Sequence, residues 1–532
     1  MRYGLATLGA LTLLAPAPWP QAAPAVGTPA TAMALNVLSS APDPAPSAPP
    51  TKPLQPPAAD LGTEDGLRTM IRWALAHAQG ADFALTEAPL EQVLAASGFT
   101  ALPTAEQHLL VTMTALVAYR NKAFGRAHEL AAQATAMSEA TPDDWVLRVG
   151  SAVASGDISD ALLSTQTICT QWRTALGQIG SEIPAIVERS NYPQYREARG
   201  ALLESLYAVR WEPAISSTRG EIWLQYALHL IEQGDKERAR EAASHLADPY
   251  SIIGLRADDR FKKVRGADYV LTNVPKAAAA LLKYRQDRSH QNPRMLVYVV
   301  ALGHVQLEQL RAEEALALAD AALAAIASAP ANTTPFDDQP GEYQSLLALR
   351  AEALYQLGRF SEALAQLQSA VDLPARYTHG SSRKFRLAEW LCQLDQAPAA
   401  LAALPEINAT NVQAAMRVQA IRADVALSSG DTEAWTTAVG ELREHEADAP
   451  EYLQRALLHQ GDLDGAAQVL LRRLESPEQR LATLINIQTY QEVPAPPRVR
   501  SWQAQERSLL QRADVQAAIK KIGNIDKYAL VR

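Results

Sequence analysis

The clearest structural signal in this chain is the stretch from Ser345 to Pro374, which reads SLLALRAEALYQLGRFSEALAQLQSAVDLP. Small and apolar residues recur at helical spacing on either side of Gly358, and this pattern predicts two amphipathic helices joined by a turn. The positions at which the two helices would touch are Ala351, Leu354, Ala363, Leu367 and Ala370. Such a hairpin cannot bury its apolar face alone, so we expect it to stack on copies of itself.

Weaker copies of this hairpin recur along the chain, and we recognise eight in all. Their predicted turns include positions near residues 156, 234, 310, 358, 395, 430 and 461. The last four turns are spaced close to one repeat length, whereas the earlier ones indicate longer or more divergent repeats. The sequence therefore predicts an all-α fold, an α-solenoid of stacked helix-turn-helix hairpins.

The hairpin around Gly358 resembles the tetratricopeptide repeat (TPR). The resemblance rests on a small residue in the first helix, a glycine turn, an aromatic residue after it and alanines in the second helix, at Ala351, Gly358, Phe360, Ala363 and Ala370. The chain departs from the family pattern where Leu347 replaces the usual tryptophan and where Pro374 arrives one residue early. The resemblance implies a scaffold whose first helices line a groove for a protein or peptide.

By analogy with the family, five residues of this first helix would face the groove: Ser345, Ala348, Glu352, Tyr355 and Gln356. Tyr355 and Gln356 are the expected partner contacts, because tyrosine offers a large surface with a polar tip and glutamine can bond an extended backbone. The alternative for Tyr355 is packing between hairpins.

The composition agrees with a helical protein that has a large apolar core. The 532 residues are 48% hydrophobic and 6% aromatic, and alanine, the strongest helix former, is abundant. A net charge of −9 argues against nucleic-acid binding, which depends on Lys and Arg at phosphates. Cys169 and Cys392 are expected to be buried free thiols, because no CxxC or Cys/His spacing favours the alternative of a redox pair or metal site.

The amino-terminal residues are typical of a secretory signal peptide. A positive start, an apolar run from Leu5 to Leu14 and the small-x-small site Ala23-Pro24-Ala25 predict cleavage after Ala25, with an uncleaved membrane anchor as the alternative. Residues 26–60 are rich in proline and alanine and indicate a disordered linker, a spacer rather than a peptide ligand. No integral membrane segment is expected in the mature chain, which we predict to be periplasmic or secreted.

Two repeat arrays are predicted after the linker, a first one over residues 61–270 with divergent repeats and a second one over residues 271–532 with capping helices at its end. The segment from Ala247 to Phe261 resembles the ending that closes repeat arrays in bacterial TPR proteins. The alternative is an ordinary loop between repeats.

A local reversal of charge lies between residues 256 and 294, where Lys and Arg outnumber acidic residues. Lys262, Lys263 and Arg265 form a possible basic patch that could attract an anionic partner. The alternative is a solvated helix face.

No HExxH, GxxxxGK, GxGxxG or GxSxG motif stands in the sequence, and no cofactor, metal or catalytic residue is expected. We therefore predict an exported, non-catalytic scaffold that binds protein or peptide partners in the bacterial cell envelope. The alternatives are an envelope enzyme or polysaccharide-related factor built on a helical solenoid, and a structural adaptor of an envelope assembly.

Overall fold

The computed structural model describes residues 55–79, 83–180, 182–211, 217–266, 272–330, 333–373, 382–407 and 411–531. The predicted signal peptide and most of the predicted linker lie outside these residues. The described residues form α-helices and short 3-10 helices, with two isolated β-bridges and no β-strand among them. The all-α solenoid predicted from the sequence is confirmed.

The chain forms two compact units, one described over residues 55–211 and the other over residues 217–531. The first unit comprises α1 (Glu64–Gln79), α2 (Phe83–Ala95), α3 (Thr104–Arg120), α4 (Phe124–Thr135), α5 (Pro142–Ser155), α6 (Ile158–Gln171), α7 (Glu182–Arg189) and α8 (Arg196–Ala208). One cluster of buried apolar side chains in this unit runs through the helices α1 to α5.

The second unit is longer and contains the best repeats. It comprises α9 (Ser217–Glu232), α10 (Lys236–Ser244), α11 (Pro249–Ala257), α12 (Lys262–Arg265), α13 (Val274–Gln291), α14 (Leu296–Glu308), α15 (Ala312–Ser328), α16 (Gln339–Gln356), α17 (Phe360–Val371), α18 (Ser382–Gln393), α19 (Ala397–Ala402), α20 (Val412–Ser429), α21 (Thr432–Glu444), α22 (Pro450–Gln460), α23 (Leu463–Glu475), α24 (Pro477–Asn486), α25 (Pro497–Leu510) and α26 (Ala513–Ile522). No helix of the described residues is both long and apolar enough to cross a membrane.

All eight hairpins recognised in the sequence are present as pairs of packed helices: α3/α4, α5/α6, α9/α10, α14/α15, α16/α17, α18/α19, α20/α21 and α22/α23. A residue with positive φ stands at each of the seven turns predicted from the sequence. Gly358 takes this left-handed conformation at φ 78° without strain, whereas Leu310 and Asp395 take it with a side chain.

Small residues set the distance between neighbouring helices. Ala351 on α16 and Ala363 on α17 are both fully buried, and Gly303 brings α14 close to α16. A Cβ atom added at Gly303 would lie 2.4 Å from Cδ2 of Leu349, so this contact has no room for a larger residue.

The second unit closes on its own carboxyl-terminal segment. Asn524 N donates to the carbonyl oxygen of Ala257 at 3.1 Å, and Val531 N donates to that of Glu308 at 2.8 Å. Arg256 also forms an ion pair with Asp526 at 2.7 Å. These contacts join residues 523–531 to α11 and α14.

The compact units divide between residues 211 and 217, whereas the array boundary predicted from the sequence lies near residue 270. The segment from Ala247 to Phe261, expected to close a first array, belongs to the second unit. The physical reason is that α11 packs against α13 and α24, which supply the apolar partners that a terminal hairpin would otherwise lack.

Candidate functional site

The first helices of five successive hairpins, α14, α16, α18, α20 and α22, form the layer on which the candidate site is built. α14 packs on α16, α18 packs on α20, and α20 packs on α22, while each first helix also packs on its own second helix. Side chains at equivalent positions of the first helices therefore come close to one another.

One position of these helices carries an ionisable side chain in all five hairpins. This position lies six residues before the turn residue that has a positive φ. The turn residues of the five hairpins are Leu310, Gly358, Asp395, Gly430 and Gly461. The five residues, here called the central row, are His304, Glu352, Glu389, Asp424 and Arg455. Because the offset from the turn is constant, these side chains stand in one register across the layer.

Glu352 bridges three first helices. One carboxylate oxygen lies 3.4 Å from Nδ1 of His304 on α14, and the other lies 3.4 Å from Nη1 of Arg386 on α18. Burial tends to raise the pKa of Glu352, but Arg386 and then His304 hold that pKa below its usual value. Glu352 is therefore an anion placed between the imidazole of His304 and the guanidinium of Arg386.

Glu389 is held in the same way one hairpin later. Arg417 donates two hydrogen bonds to its carboxylate, at 2.9 and 2.8 Å, and Nη1 of Arg455 lies 3.5 Å away. Burial acts to raise the pKa of Glu389, and the nearby guanidinium groups, Arg417 first, keep it below its usual value.

Asp424 and Arg455 form the most deeply buried part of the row, with side chains 0% and 1% exposed. Arg455 Nη2 donates to one oxygen of Asp424, and Nδ1 of His459 donates to the other at 2.6 Å. Burial lowers the pKa of His459 to about 4, against the opposing effect of Asp424. His459 is therefore neutral near pH 7, and its Nε2 is a hydrogen-bond acceptor.

Two further carboxyl groups lie close to the row, on α14 and α16. Burial raises the pKa of Glu342 to about 7, opposed by Ser345 and Arg383, and burial raises the pKa of Glu308 to about 7 as well. Oε2 of Glu342 is buried and has no hydrogen-bond partner. These groups change charge near neutral pH.

The structure brings some of the predicted groove residues into this layer of contacts. Glu352 belongs to the central row, and Oγ of Ser345 accepts a hydrogen bond from Arg383 Nη2 at 2.8 Å. Ala348 is buried. Gln356 is half-buried, and its Oε1 has no hydrogen-bond partner.

Tyr355 packs between hairpins, which is the alternative that the sequence left open. Its ring stacks on Trp390 at 4.4 Å between centroids and meets Phe360 edge-on at 5.0 Å. Its hydroxyl bonds to Oε1 of Gln393. The tyrosine therefore joins α16 to α18, and most of its ring surface is used in this packing.

The sequence reasoning missed four members of the central row, His304, Glu389, Asp424 and Arg455. The signal that identifies them is the constant offset of six residues before each predicted turn. Glu352 was expected at the groove by analogy with the family, in the best repeat only.

The predicted basic patch is largely engaged in local contacts. Lys262 pairs with Asp259 at 2.8 Å, and Arg265 donates to the carbonyl oxygen of Leu255 at 2.9 Å. Lys263 is exposed. Binding of an anionic partner at this patch stays a prediction.

A cavity of about 410 Å³ opens beside His459, where α25 crosses the ends of three first helices. The His459–Asp424 pair has the form of a general base, but a histidine whose pKa is about 4 is a weak base at neutral pH. Within the described residues, no three His, Cys, Asp or Glu side chains are grouped to hold a metal ion. Cys169 and Cys392 are free and buried, as predicted.

No family model and no curated protein matches this sequence. Among solved structures, the chain is similar to yeast Tom70 (11% identity, 86% of this chain, 99% of that chain, TM-score 0.31) and the APC/C hetero-tetramer Cut9–Hcn1 (12%, 87%, 97%, 0.26). It is also similar to Naa15/Naa10 bound to HypK-THB (13%, 85%, 90%, 0.21). TM-scores this low do not establish a shared fold. The description of the chain as TPR-like rests on its stacked helical hairpins.

Proposed function

We propose that this protein is an exported, non-catalytic scaffold that binds an extended segment of a protein partner along the first helices α14 to α22. The observation that carries the proposal is the central row, a single helical position with an ionisable side chain in five successive hairpins. Buried ion pairs contribute little net stability compared with apolar packing, so a continuous row of them calls for a reason other than stability.

The length of the row fits a peptide. Packed helices lie about 8–10 Å apart, so five first helices span about 32–40 Å, which an extended peptide of about 9–12 residues would cover.

Acceptor atoms beside the row favour an occupant that is rich in donors. Oε2 of Glu342 and Oε1 of Gln356 are buried without a hydrogen-bond partner. A backbone in extended conformation presents N–H groups along its length, and such groups would satisfy oxygens of this kind.

Export to the periplasm or the cell exterior is the second part of the proposal. It is supported by the signal-peptide pattern at residues 1–25. Sequencing the amino terminus of the mature protein tests it: a start at Val26 is expected, and a start at Met1 in the exported fraction would contradict it.

Peptide selection on the intact protein tests the binding surface. Random peptides of about twelve residues would be selected on the wild type, and their affinities measured for His304→Gln, Gln356→Ala and, as a control on the exposed face of α15, Glu313→Gln. We expect losses of about fivefold or more for the first two variants and little change for the control. Selected peptides that bind all four proteins equally would refute the proposed surface.

A further inference from the structure

The cavity beside His459 has a defined place in the fold. It lies between α25 and the carboxyl ends of α18, α20 and α22, and its volume is about 410 Å³. The residues that line it are Asp395, Asp424, Leu427, His459, Gln460, Arg498, Ser501 and Trp502.

His459 is fixed at the wall of this cavity by two contacts. Its ring lies parallel to the ring of Trp502, with centroids 3.8 Å apart and planes 1° apart. Its Nδ1 donates to Asp424 at 2.6 Å. The ring atom left for an occupant is Nε2, which is buried, belongs to a side chain that is 0% exposed and has no hydrogen-bond partner.

The surroundings of the cavity favour positive charge in an occupant. α20 and α22 end at Gly430 and Gly461, so the negative ends of two helix dipoles lie beside it. Asp395 adds a carboxylate whose side chain is 65% exposed. An anion at this place would face these two helix ends and the lone pair of Nε2.

The two arginines near the cavity are already paired with carboxylates. Arg498 donates to Asp395 and lies over the ring of Trp502 at 6.0 Å. Arg455 donates to Asp424. Burial keeps the pKa of His459 at about 4, so near neutral pH the imidazole adds no positive charge.

We propose that this cavity binds one cationic side chain, a lysine or an arginine, of the segment bound along the central row. The cation donates to Nε2 of His459 and pairs with Asp395. This inference rests on the proposed function and names the chemistry of one anchor residue of the partner.

Small probes test the cavity without a partner. N-acetyl-lysine methylamide and N-acetyl-arginine methylamide would be titrated into the full chain, with the norleucine and glutamate analogues as neutral and anionic controls. The readout is the ¹⁵N shift of the His459 imidazole, assigned with His459→Phe, together with the binding constant. We expect binding of the cationic probes only and a shift at Nε2.

Asp395→Asn is the decisive variant, because asparagine keeps the left-handed conformation of the turn (φ 60° at Asp395). We expect it to lower the affinity for the cationic probes about fivefold. The control is Glu433→Gln on the exposed face of α21, which should leave that affinity unchanged. Equal binding of the norleucine or glutamate probe, or an unchanged constant in Asp395→Asn, would overturn the proposal. If selected peptides still bind His304→Gln more weakly than the wild type, the proposed function would stand even though the cavity proposal had failed.

Discussion

At the scale of single residues, the most deeply buried charges of the central row are Asp424 and Arg455, which have almost no access to water. The two opposite charges neutralise each other. His459 extends the network from Asp424, and Glu389 extends it from Arg455. Removal of one partner leaves a buried charge that nothing neutralises. The energetic consequence is therefore larger than for an exposed ion pair.

Arg455→Met tests this consequence. Removal of the guanidinium should lower the free energy of unfolding by about 3–5 kcal/mol in urea denaturation, because Asp424 and Glu389 lose a buried counter-charge. The control is Arg311→Met, which breaks an exposed pair with Glu314 and should cost under about 1 kcal/mol. Similar small losses in both variants would contradict the description of Asp424 and Arg455 as a buried pair in which each charge depends on the other.

Glu342 should make stability depend on pH. The folded protein holds its proton up to about pH 7, against a usual pKa of 4.5, so between these pH values the unfolded chain binds fewer protons and stability falls as pH rises. Glu342→Gln should therefore match the wild type near pH 4 and be more stable at pH 8 by roughly 1–3 kcal/mol. Urea denaturation at the two pH values checks this, and a variant that is less stable than the wild type at pH 8 would refute it.

Part of the candidate site could be predicted from the sequence. Glu352 was identified because it occupies a groove position of the best repeat, whose register is set by Gly358. Glu389 was not, because the groove positions were carried over from the family to the best repeat only. The partners Arg386 and Arg417 lie at other offsets, and only the packing of neighbouring helices brings them to the row.

At the scale of helices, the closeness of α14 and α16 depends on Gly303. A Cβ atom at this position would meet three side-chain atoms of Leu349, which is fully buried and would have to shift. Gly303→Ala should therefore lower the free energy of unfolding by about 1–3 kcal/mol.

The matched control is Gly440→Ala on α21, where an added Cβ atom meets nothing within 4 Å. Alanine is the better helix former, so this variant should gain about 0.5–1 kcal/mol. Thermal unfolding of both proteins separates the two effects. A gain in both variants would show that α14 and α16 are less closely packed than described.

The helices predicted from the sequence are those with alanine or other small residues at helical spacing on both sides of a turn. The pattern found α14 to α23 because each hairpin there packs on a similar neighbour. It gave no hairpin for α1 with α2 or for α7 with α8. It also could not place α11 beside α24, because contacts between residues more than 200 positions apart leave no local signal.

At the scale of the second unit, residues 523–531 bind the helices near its start. Tyr528, Leu530 and Val531 are buried there, and Tyr250 donates its hydroxyl to the carbonyl oxygen of Val531. A terminal repeat needs such a cover, since it has no further neighbour.

Removal of residues 523–532 should loosen α11 while leaving the central hairpins intact. Hydrogen exchange followed by mass spectrometry should give faster exchange in α11 and α24 and unchanged exchange in α16 and α20. Asp526→Asn, which weakens only the ion pair with Arg256, should have a smaller effect at the same helices. Unchanged protection of α11 in the truncated protein would contradict the described closure.

The central claim is that the face marked by the central row binds an extended segment, and photo-crosslinking tests it most directly. Benzoylphenylalanine would replace His304, the most exposed residue of the row with a 33% exposed side chain, or Glu313 on the exposed face of α15. Irradiation with a selected peptide should give an adduct from position 304 and none from position 313. Adducts from position 313 alone would contradict the claim.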